Sequence, residues 1–192
     1  MVITYQSDNY FRIQSGEITV LIDPTNARAF KGANVILNTV KPAYMDQKES
    51  ADSGAFWIEH QGEYEREGIR IEGWSTGYEE ETEKTCYLFN VEGISIAVAG
   101  HPKKELSTEI VEKLQGADIL ILPSGSTPYI DAGSAAKLTR QIEPGIVIPS
   151  LIKNEPKKFF DELGVTPQKE DKLVIKKKDI SAGAMEMHYL KA

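Results

Sequence analysis

The sequence predicts an α/β protein built of layered sheets and helices, and two observations support this class. Strand-like runs rich in Val, Ile, Tyr and Phe fill the first half of the chain. In the second half, buried strands alternate with segments of helical periodicity. This order is typical of a layered α/β architecture. No long linker, internal repeat or low-complexity segment interrupts it, so we expect a single domain over residues 1–192.

The opening segment VITYQSDNYFRIQSGEITVLIDP contains three short strand-like runs, separated by turn residues in the letters SDN and SGE. Such breaks predict a small antiparallel meander. The apolar run ANVILNT, residues 33–39, predicts a buried central strand. The polar segment KPAYMDQKESADSG follows it and predicts a loop with one helical turn.

The strand pattern then resumes in AFWIEHQ and in GEYEREGIRIEGWS, where glycines punctuate an alternating segment. The acidic stretch GYEEETEK, residues 77–84, has no periodicity and predicts an exposed loop. The segment TCYLFNVEGISIAVAG predicts two strands joined by a tight turn at Glu92 and Gly93.

The second half contains three predicted helices. STEIVEKLQGA begins with Ser107 as an N-cap and ends at Gly116, and DAGSAAKLTRQIEP is stopped by Pro144. EPKKFFDELG has Pro156 as its first helical residue. The segments DILILPSG, GIVIPSL, KLVIKKK and SAGAMEMHYLKA predict strands between and after these helices.

Composition excludes several classes of function. The chain has 192 residues, of which 41% are hydrophobic and 27% charged, as in an ordinary globular protein. A net charge of −7 argues against nucleic-acid binding, which needs clustered Lys and Arg. The one basic run, KLVIKKKD, is interpreted as a solvated edge strand rather than a nucleic-acid patch.

Location is predicted from cysteine content and hydropathy. The single cysteine, Cys86, cannot form a disulfide within the chain, which suits a reducing compartment. The first residues lack the pattern of a signal peptide, and no run approaches the ~20 apolar residues of a membrane span. We therefore expect a cytoplasmic protein without membrane contact.

Five segments, taken in order, resemble the metallo-β-lactamase fold. More narrowly, they are similar to a branch of Zn-dependent hydrolases akin to L-ascorbate-6-phosphate lactonase. The segments are ITYQSDNYFRIQSGEITVLIDP, GEYEREGIRIEGW, ISIAVAGH, LSTEIVEKLQGADILILPSG and IDAGSAAKLTRQIEPGIVIPSL. The resemblance implies an αββα four-layer sandwich, with two sheets packed face to face and helices outside. It also implies, by analogy alone, a homo-oligomer.

The zinc-binding loop of the family, His-x-His-x-Asp-His, corresponds to residues 40–45 of this chain. The four ligand positions are occupied by Val40, Pro42, Tyr44 and Met45. None of these side chains is a zinc ligand of the family's kind. A shift of one residue would bring Asp46 to the acidic position without adding a histidine.

The remaining ligand positions of the family also differ. The early turn reads SDN and the middle loop reads WSTGYEEE, neither with a histidine. The residue that follows Gly100, where the family has a bridging aspartate, is His101. The last ligand position falls at Ser150 or Leu151. The resemblance therefore implies the frame of a hydrolase without its metal ligands.

Four residues remain as candidates for ligand binding: His101, Asp8, Asp46 and Asp131. His101 follows a strand end and is expected to face the cleft, although one imidazole alone holds a metal poorly. Asp131 has a complete structural explanation as the N-cap of the second predicted helix. Asp8 lies in the early turn.

Other polar residues favour structural interpretations. Cys86 lies in an apolar strand and is expected to be an inert buried thiol. The segment SGST, residues 124–127, suits an anion site or an ordinary strand-to-helix connection, and the connection is favoured. His60 is expected to be solvated or hydrogen-bonded and His188 to lie on an exposed strand face, while the acidic run at residues 79–83 is expected to be solvated. The tryptophans Trp57 and Trp74 suit core or dimer contacts.

The sequence thus predicts a degenerate, non-catalytic protein that binds a ligand or partner, or assembles with copies of itself. It indicates no catalytic residue, metal ligand or cofactor. One alternative is a metal-dependent hydrolase of lactonase or phosphoester type, with an atypical site around His101, and another is a metal-free enzyme that uses Cys86 or a serine. In the leading hypothesis, Val40, Pro42, Tyr44 and Met45 fill the vacated space by packing.

Overall fold

The structure is a computed structural model that describes residues 1–181 and 183–192. The strands are β1 (Val2–Ser7), β2 (Tyr10–Ser15), β3 (Ile18–Ile22), β4 (Val35–Leu37), β5 (Val40–Lys41), β6 (Phe56–Ile58), β7 (Gly62–Arg66), β8 (Ile69–Glu79), β9 (Thr82–Val91), β10 (Ile94–Val98), β11 (Ile119–Pro123), β12 (Ile146–Ser150), β13 (Lys169–Glu170), β14 (Leu173–Val174), β15 (Glu186–Met187) and β16 (Tyr189–Leu190). The α-helices are α1 (Thr108–Leu114), α2 (Ala132–Ile142) and α3 (Lys157–Leu163), and 3-10 helices span Ala27–Phe30, Gln47–Ser53 and Lys177–Asp179.

Two mixed sheets form the centre of the molecule. The first has the strand order β14-β1-β2-β3-β4-β6, and its antiparallel β1, β2 and β3 confirm the predicted meander. The second has the order β15-β12-β11-β10-β9-β8-β7, with β5 paired to β9. Within it, β10, β11, β12 and β15 run parallel. A small third sheet pairs β13 with β16.

The main core lies between the two sheets. Phe11 and Ile13 of the first sheet belong to the same buried cluster as Tyr87, Phe89 and Ile96 of the second. Successive residues of a strand point to opposite faces, so neighbouring side chains of one strand enter different clusters. In β11, for example, Ile119 and Ile121 face the first sheet, whereas Leu120 and Leu122 join the cluster that contains the helices.

The three α-helices cover the outer face of the second sheet. Buried residues of α1, α2 and α3, including Leu114, Leu138 and Phe159, pack on Leu120 and Val147 of the sheet. Ser107 caps α1, as predicted, because its hydroxyl accepts a hydrogen bond from Ile110 N. The outer face of the first sheet is covered by the 3-10 segments that contribute Phe30 and Ser50. The predicted αββα sandwich is confirmed, with 3-10 helices in place of α-helices in one outer layer.

Three local predictions differ from the structure. Residues 77–84 are not a loop, since β8 continues to Glu79 and β9 begins at Thr82. Pro156 is the N-cap of α3 rather than its first helical residue. The KLVIKKK strand is an edge strand, but only Leu173–Val174 pairs with β1 before the chain enters a 3-10 turn. The predicted strands at SAGAMEMHYLKA are present as β15 and β16, and Ala182 of that segment lies outside the described residues. No helix in the described ranges has the length and apolar character needed to cross a membrane.

Candidate functional site

His101 lies where β10 ends, beneath the cleft that the sequence analysis predicts. The residue is 2% exposed and follows Gly100, whose φ of +69° turns the chain away from the sheet. Both ring nitrogens are hydrogen-bonded: Nδ1 is 2.8 Å from Thr39 Oγ1, and Nε2 is 2.9 Å from the hydroxyl of Tyr44. A neutral imidazole has one N–H and one lone pair. Both are therefore used within the protein.

A buried carboxyl group stands behind this histidine. Asp23 is 0% exposed, and its Oδ1 accepts a hydrogen bond of 2.6 Å from Thr39 N. Its Oδ2 accepts a hydrogen bond of 2.6 Å from Asn9 Nδ2, and the Thr39 hydroxyl lies 2.5 Å from the same oxygen. The distance from Asp23 Oδ2 to His101 Nδ1 is 3.7 Å. A continuous chain of hydrogen bonds thus runs from Asp23 through Thr39 and His101 to Tyr44.

Burial shifts the pKa values of the three titratable residues in this hydrogen-bond network, Asp23, His101 and Tyr44. Desolvation raises the pKa of Asp23 above its ordinary value, although His101 and the hydrogen bonds from Thr39 and Asn9 act in the opposite direction. Desolvation lowers the pKa of His101, while the charge of Asp23 acts to raise it. Desolvation also raises the pKa of Tyr44. The pKa shifts caused by desolvation favour the neutral forms of all three residues. Hydrogen bonds rather than a charged pair then join them.

A pH-dependent stability follows from the lowered pKa of His101. The unfolded chain binds the imidazole proton more tightly than the folded chain, so protonation stabilises the unfolded state. We expect the parent protein to lose stability relative to His101→Gln as the pH falls below about 6.5, by up to about 1.4 kcal/mol per pH unit. Urea unfolding of both proteins across this range measures the difference. A constant difference would show that folding does not shift the pKa of the imidazole, and a slope of the opposite sign would show that the folded state favours the charged ring.

The side chains of the loop at residues 40–46 do not all pack in the predicted way. Val40 is buried and pairs with β9 through β5, and Met45 is partly buried against the cluster that contains Tyr10. Pro42 and Tyr44 are exposed instead, Tyr44 to 48%. The expectation that all four side chains act by packing is therefore wrong for Pro42 and Tyr44. The hydroxyl of Tyr44 holds the loop by binding His101, which composition alone did not indicate.

The residues present do not fit the zinc ion that the resemblance implies. Four ligand positions hold Val40, Pro42, Tyr44 and Met45, and the lone pair of His101 is used by a hydroxyl group. At the last position, Ser150 Oγ is buried and has no hydrogen-bond partner within the described residues. Within residues 1–181 and 183–192, no group of three or more His, Cys, Asp or Glu side chains could hold a metal ion.

Of the other predicted ligand-binding residues, two cap helices, and the third, Asp8, acts on His101 through its charge. Asp46 caps the 3-10 helix Gln47–Ser53 by accepting a hydrogen bond of 2.8 Å from Lys48 N. Asp131 caps α2 in the predicted way, accepting a hydrogen bond of 2.8 Å from Ser134 N. Asp8 occupies the turn between β1 and β2 with a φ of +49°, near enough for its charge to act to raise the pKa of both Tyr44 and His101.

The remaining polar candidates have structural roles. Cys86 is buried, and desolvation raises the pKa of its thiol to about 12, far from the range of a nucleophile. His60 lies at the surface beside Lys41 and Glu83, and His188 Nδ1 is 2.9 Å from Glu170 Oε1. Trp57 packs edge-on against Phe30 in the outer layer of the first sheet.

A cleft of about 250 Å³ opens above His101. We call it the Tyr44 cleft, and its walls include Tyr44, His101, Tyr129, Lys84 and Lys103. The rings of Tyr44 and Tyr129 flank the imidazole at centroid distances of 5.9 and 5.4 Å.

The charges of the Tyr44 cleft are compensated. Glu79 Oε2 accepts hydrogen bonds from both lysines, at 2.8 Å from Lys84 Nζ and 2.9 Å from Lys103 Nζ. This lysine pair lowers the pKa of Glu79 to about 2.

Sequence reasoning identified His101 but missed Asp23, Thr39, Asn9 and Tyr129. One signal was present, because the carboxyl group of Asp23 directly follows the buried strand TVLI. A carboxyl group at the end of a buried strand needs buried hydrogen-bond donors. The sequence does not show which distant residues supply them.

Comparison with known proteins identifies the family to which this fold belongs. A model of the β-lactamase superfamily domain matches residues 2–150, and no curated protein sequence matches the chain. The fold is similar to that of a candidate Zn-dependent hydrolase of the metallo-β-lactamase superfamily from Thermotoga maritima, with a TM-score of 0.79, 18% identity and 99% of each chain covered. It is also similar to a candidate metal-dependent hydrolase from Parabacteroides distasonis, with a TM-score of 0.69, 16% identity, and 98% of this chain and 93% of that chain covered.

A third similar structure is the metallo-β-lactamase fold protein YhfI from Bacillus subtilis. Its TM-score is 0.66 at 9% identity, with 97% of this chain and 90% of that chain covered. Identities this low support the fold and no more. Because the family model spans most of its residues, the chain belongs to the β-lactamase superfamily, and its fold is that of the metallo-β-lactamases.

Proposed function

We propose that this chain is a pseudoenzyme of its superfamily, which binds a ligand in the Tyr44 cleft without the metal chemistry of its relatives. The observation that carries the proposal is the double engagement of His101, whose Nδ1 and Nε2 are bound by Thr39 and Tyr44. A metal needs the imidazole lone pair. Here that lone pair is already engaged in a hydrogen bond, because both ring nitrogens contact a hydroxyl group.

The composition of the site supports the same proposal. Metal-dependent hydrolysis relies on an ion that lowers the pKa of a bound water to about 7 and polarises the substrate. The aligned positions offer Val40, Pro42 and Met45, which have no ligand of that kind. A metal-free reaction would need a nucleophile and base in contact. The buried thiol of Cys86, with its raised pKa, does not supply one.

The lining of the Tyr44 cleft suggests the kind of ligand. Two tyrosine rings offer flat surfaces with a polar edge, which suits small amphipathic molecules. Lys84 and Lys103 are compensated by Glu79, so little net charge is available to select an ion. We therefore propose a small uncharged polar ligand.

A metal-dependent hydrolase is the second candidate, and the similar structures named as Zn-dependent or metal-dependent hydrolases favour it. For this chain it would need a site around His101 that recruits Asp8, Asp46 or Asp131. The hydrogen bond between His101 Nε2 and the Tyr44 hydroxyl would first have to break. Membership of the lactonase-like branch and assembly into a homo-oligomer stay predictions of the sequence.

Elemental analysis of protein purified without chelator tests the proposal. We expect zinc, manganese and iron far below one ion per chain, with no difference between the parent and His101→Ala. Incubation with excess zinc followed by desalting should leave the content unchanged. Retention of one or more ions per chain in the parent, lost in His101→Ala, would support the hydrolase instead.

The ligand itself is tested by saturation-transfer NMR with a library of small uncharged molecules. A binder should contact the Tyr44 cleft and lose affinity in Tyr129→Ala. Glu63→Ala, a change on the exposed strand β7, should leave its binding unaltered. If no compound of the library binds, or if binders keep their affinity in Tyr129→Ala, the cleft is not the binding site proposed here.

A further inference from the structure

A second cleft, of about 480 Å³, lies between the loops that follow β11 and β12. We call it the lysine cleft. Its walls include Ser124, Ser126, Thr127, Lys153, Lys157 and Lys158. β11 and β12 are adjacent parallel strands, and both loops leave their carboxyl ends. In α/β sheets, ligands bind preferentially beyond the carboxyl ends of parallel strands.

The lysine cleft carries uncompensated positive charge. Lys153, Lys157 and Lys158 line it, and Glu155 is the carboxylate on the same wall. None of these four side chains takes part in an ion pair with any described residue. This contrasts with the Tyr44 cleft, where both lysines are paired. A local excess of cations in a chain of net charge −7 favours an anionic ligand.

The loop that lines one wall of this cleft also carries backbone and hydroxyl donors. The amides of Gly125, Ser126 and Thr127 have no acceptor within the described part of the chain, and neither do the hydroxyls of Ser126 and Thr127. Backbone amides in glycine-containing loops commonly bind phosphate oxygens. The loop therefore offers hydrogen-bond donors as well as a favourable potential.

The walls of the lysine cleft are fixed by close contacts. Gly125 has a φ of +88°, and a Cβ atom there would lie 2.8 Å from Ala132 N, so only glycine allows the loop to approach α2 this closely. Across the cleft, Lys153 Nζ donates a hydrogen bond of 2.8 Å to the carbonyl oxygen of Thr127. The two loops are thereby joined, and one ammonium group is held at the cleft.

We propose that the lysine cleft binds the phosphoryl group of a small phosphorylated molecule. A phosphate dianion can accept hydrogen bonds from the free amides and hydroxyls while the three lysines balance its charge. The volume of the cleft is within the range of small-molecule sites. A nucleic acid is disfavoured because the basic surface is confined to one small cleft of an acidic protein.

Titration calorimetry of the intact chain tests this inference. Inorganic phosphate should bind saturably at constant ionic strength, whereas chloride should not. The double variant Lys157→Ala/Lys158→Ala should weaken phosphate binding about tenfold or more, since each charged hydrogen bond contributes well above thermal energy. Circular dichroism should show unchanged folding, because both side chains are exposed.

The matched control is Lys176→Ala/Lys178→Ala, which removes the same charge from the exposed segment before and within the last 3-10 turn. It should leave phosphate binding almost unchanged. A second arm compares glycerol 3-phosphate with glycerol, and only the phosphorylated compound should bind.

Equal weakening by both double variants would show simple ionic screening. Phosphate binding with exclusion of glycerol 3-phosphate would overturn the assignment to a phosphorylated molecule. Neither result bears on the metal content of the Tyr44 cleft.

Discussion

Replacing Asp23 with alanine is expected to lower the free energy of unfolding by about 3–5 kcal/mol. The carboxyl group is the acceptor for Thr39 N and Asn9 Nδ2, both at 2.6 Å, and the whole group is 0% exposed. Alanine would leave these two donors buried without a partner. Each such donor costs about 1–3 kcal/mol, and the space of the lost carboxyl group adds a cavity.

Denaturant unfolding of Asp23→Ala beside Asp52→Ala measures this effect. Asp52 lies in the exposed 3-10 segment Gln47–Ser53, so the same chemical change there should alter stability by no more than about 0.5 kcal/mol. If the two variants unfold alike, the hydrogen-bond chain behind His101 does not stabilise the fold. The interpretation of these buried hydrogen bonds as the support of the site would then fail.

Several strands could be predicted because they carry their own local signal. Turn residues bound β1, β2 and β3, and continuous apolar runs mark β11 and β12, so no distant partner is needed to recognise them. The hairpin that joins β8 to β9 could not be recognised in this way. Its residues Glu79 and Glu83 are charged, and their strand structure depends on pairing with Thr82 and Tyr78. Tertiary pairing here overrides local propensity.

Only one residue of the candidate hydrogen-bond network, His101, could be predicted from the sequence as a site residue. His101 stood out because it replaces an acidic residue in a recognisable segment. Its partners Thr39 and Tyr44 lie 62 and 57 residues earlier, and Asp23 lies 16 residues before Thr39. Hydrogen bonds across such separations leave no local pattern. The sequence could therefore predict that the metal ligands are missing, but not that hydroxyl groups had taken their place.

The second prediction with a large effect concerns the glycine that brings this network together. Gly100 and Gly164 have nearly the same backbone conformation, with φ values of +69° and +68°. Their surroundings differ. A Cβ atom on Gly100 would lie 2.8 Å from Thr39 Cβ and 2.9 Å from Thr85 O, whereas nothing lies within 4 Å of a Cβ atom on Gly164.

Alanine at the two positions should therefore separate backbone strain from steric conflict. Gly164→Ala is expected to cost about 1 kcal/mol, the ordinary penalty for a left-handed conformation. Gly100→Ala should cost about 1–3 kcal/mol more, because the added methyl group would push Gly100 away from Thr39 and from Thr85 of β9. Parallel thermal and urea unfolding of both variants gives the two values.

The two variants also differ in what they should do to the site. Displacing Thr39 from Gly100 would lengthen the contact between Thr39 Oγ1 and His101 Nδ1, and the ring proton of His101 should then exchange faster with water in NMR spectra. Gly164→Ala lies at the end of α3 and should leave that proton unchanged. Equal losses of stability, with the His101 proton unaffected in both, would mean that the segment holding Thr39 moves freely. The close approach of Gly100 to Thr39 would then not be what positions His101 beneath the Tyr44 cleft.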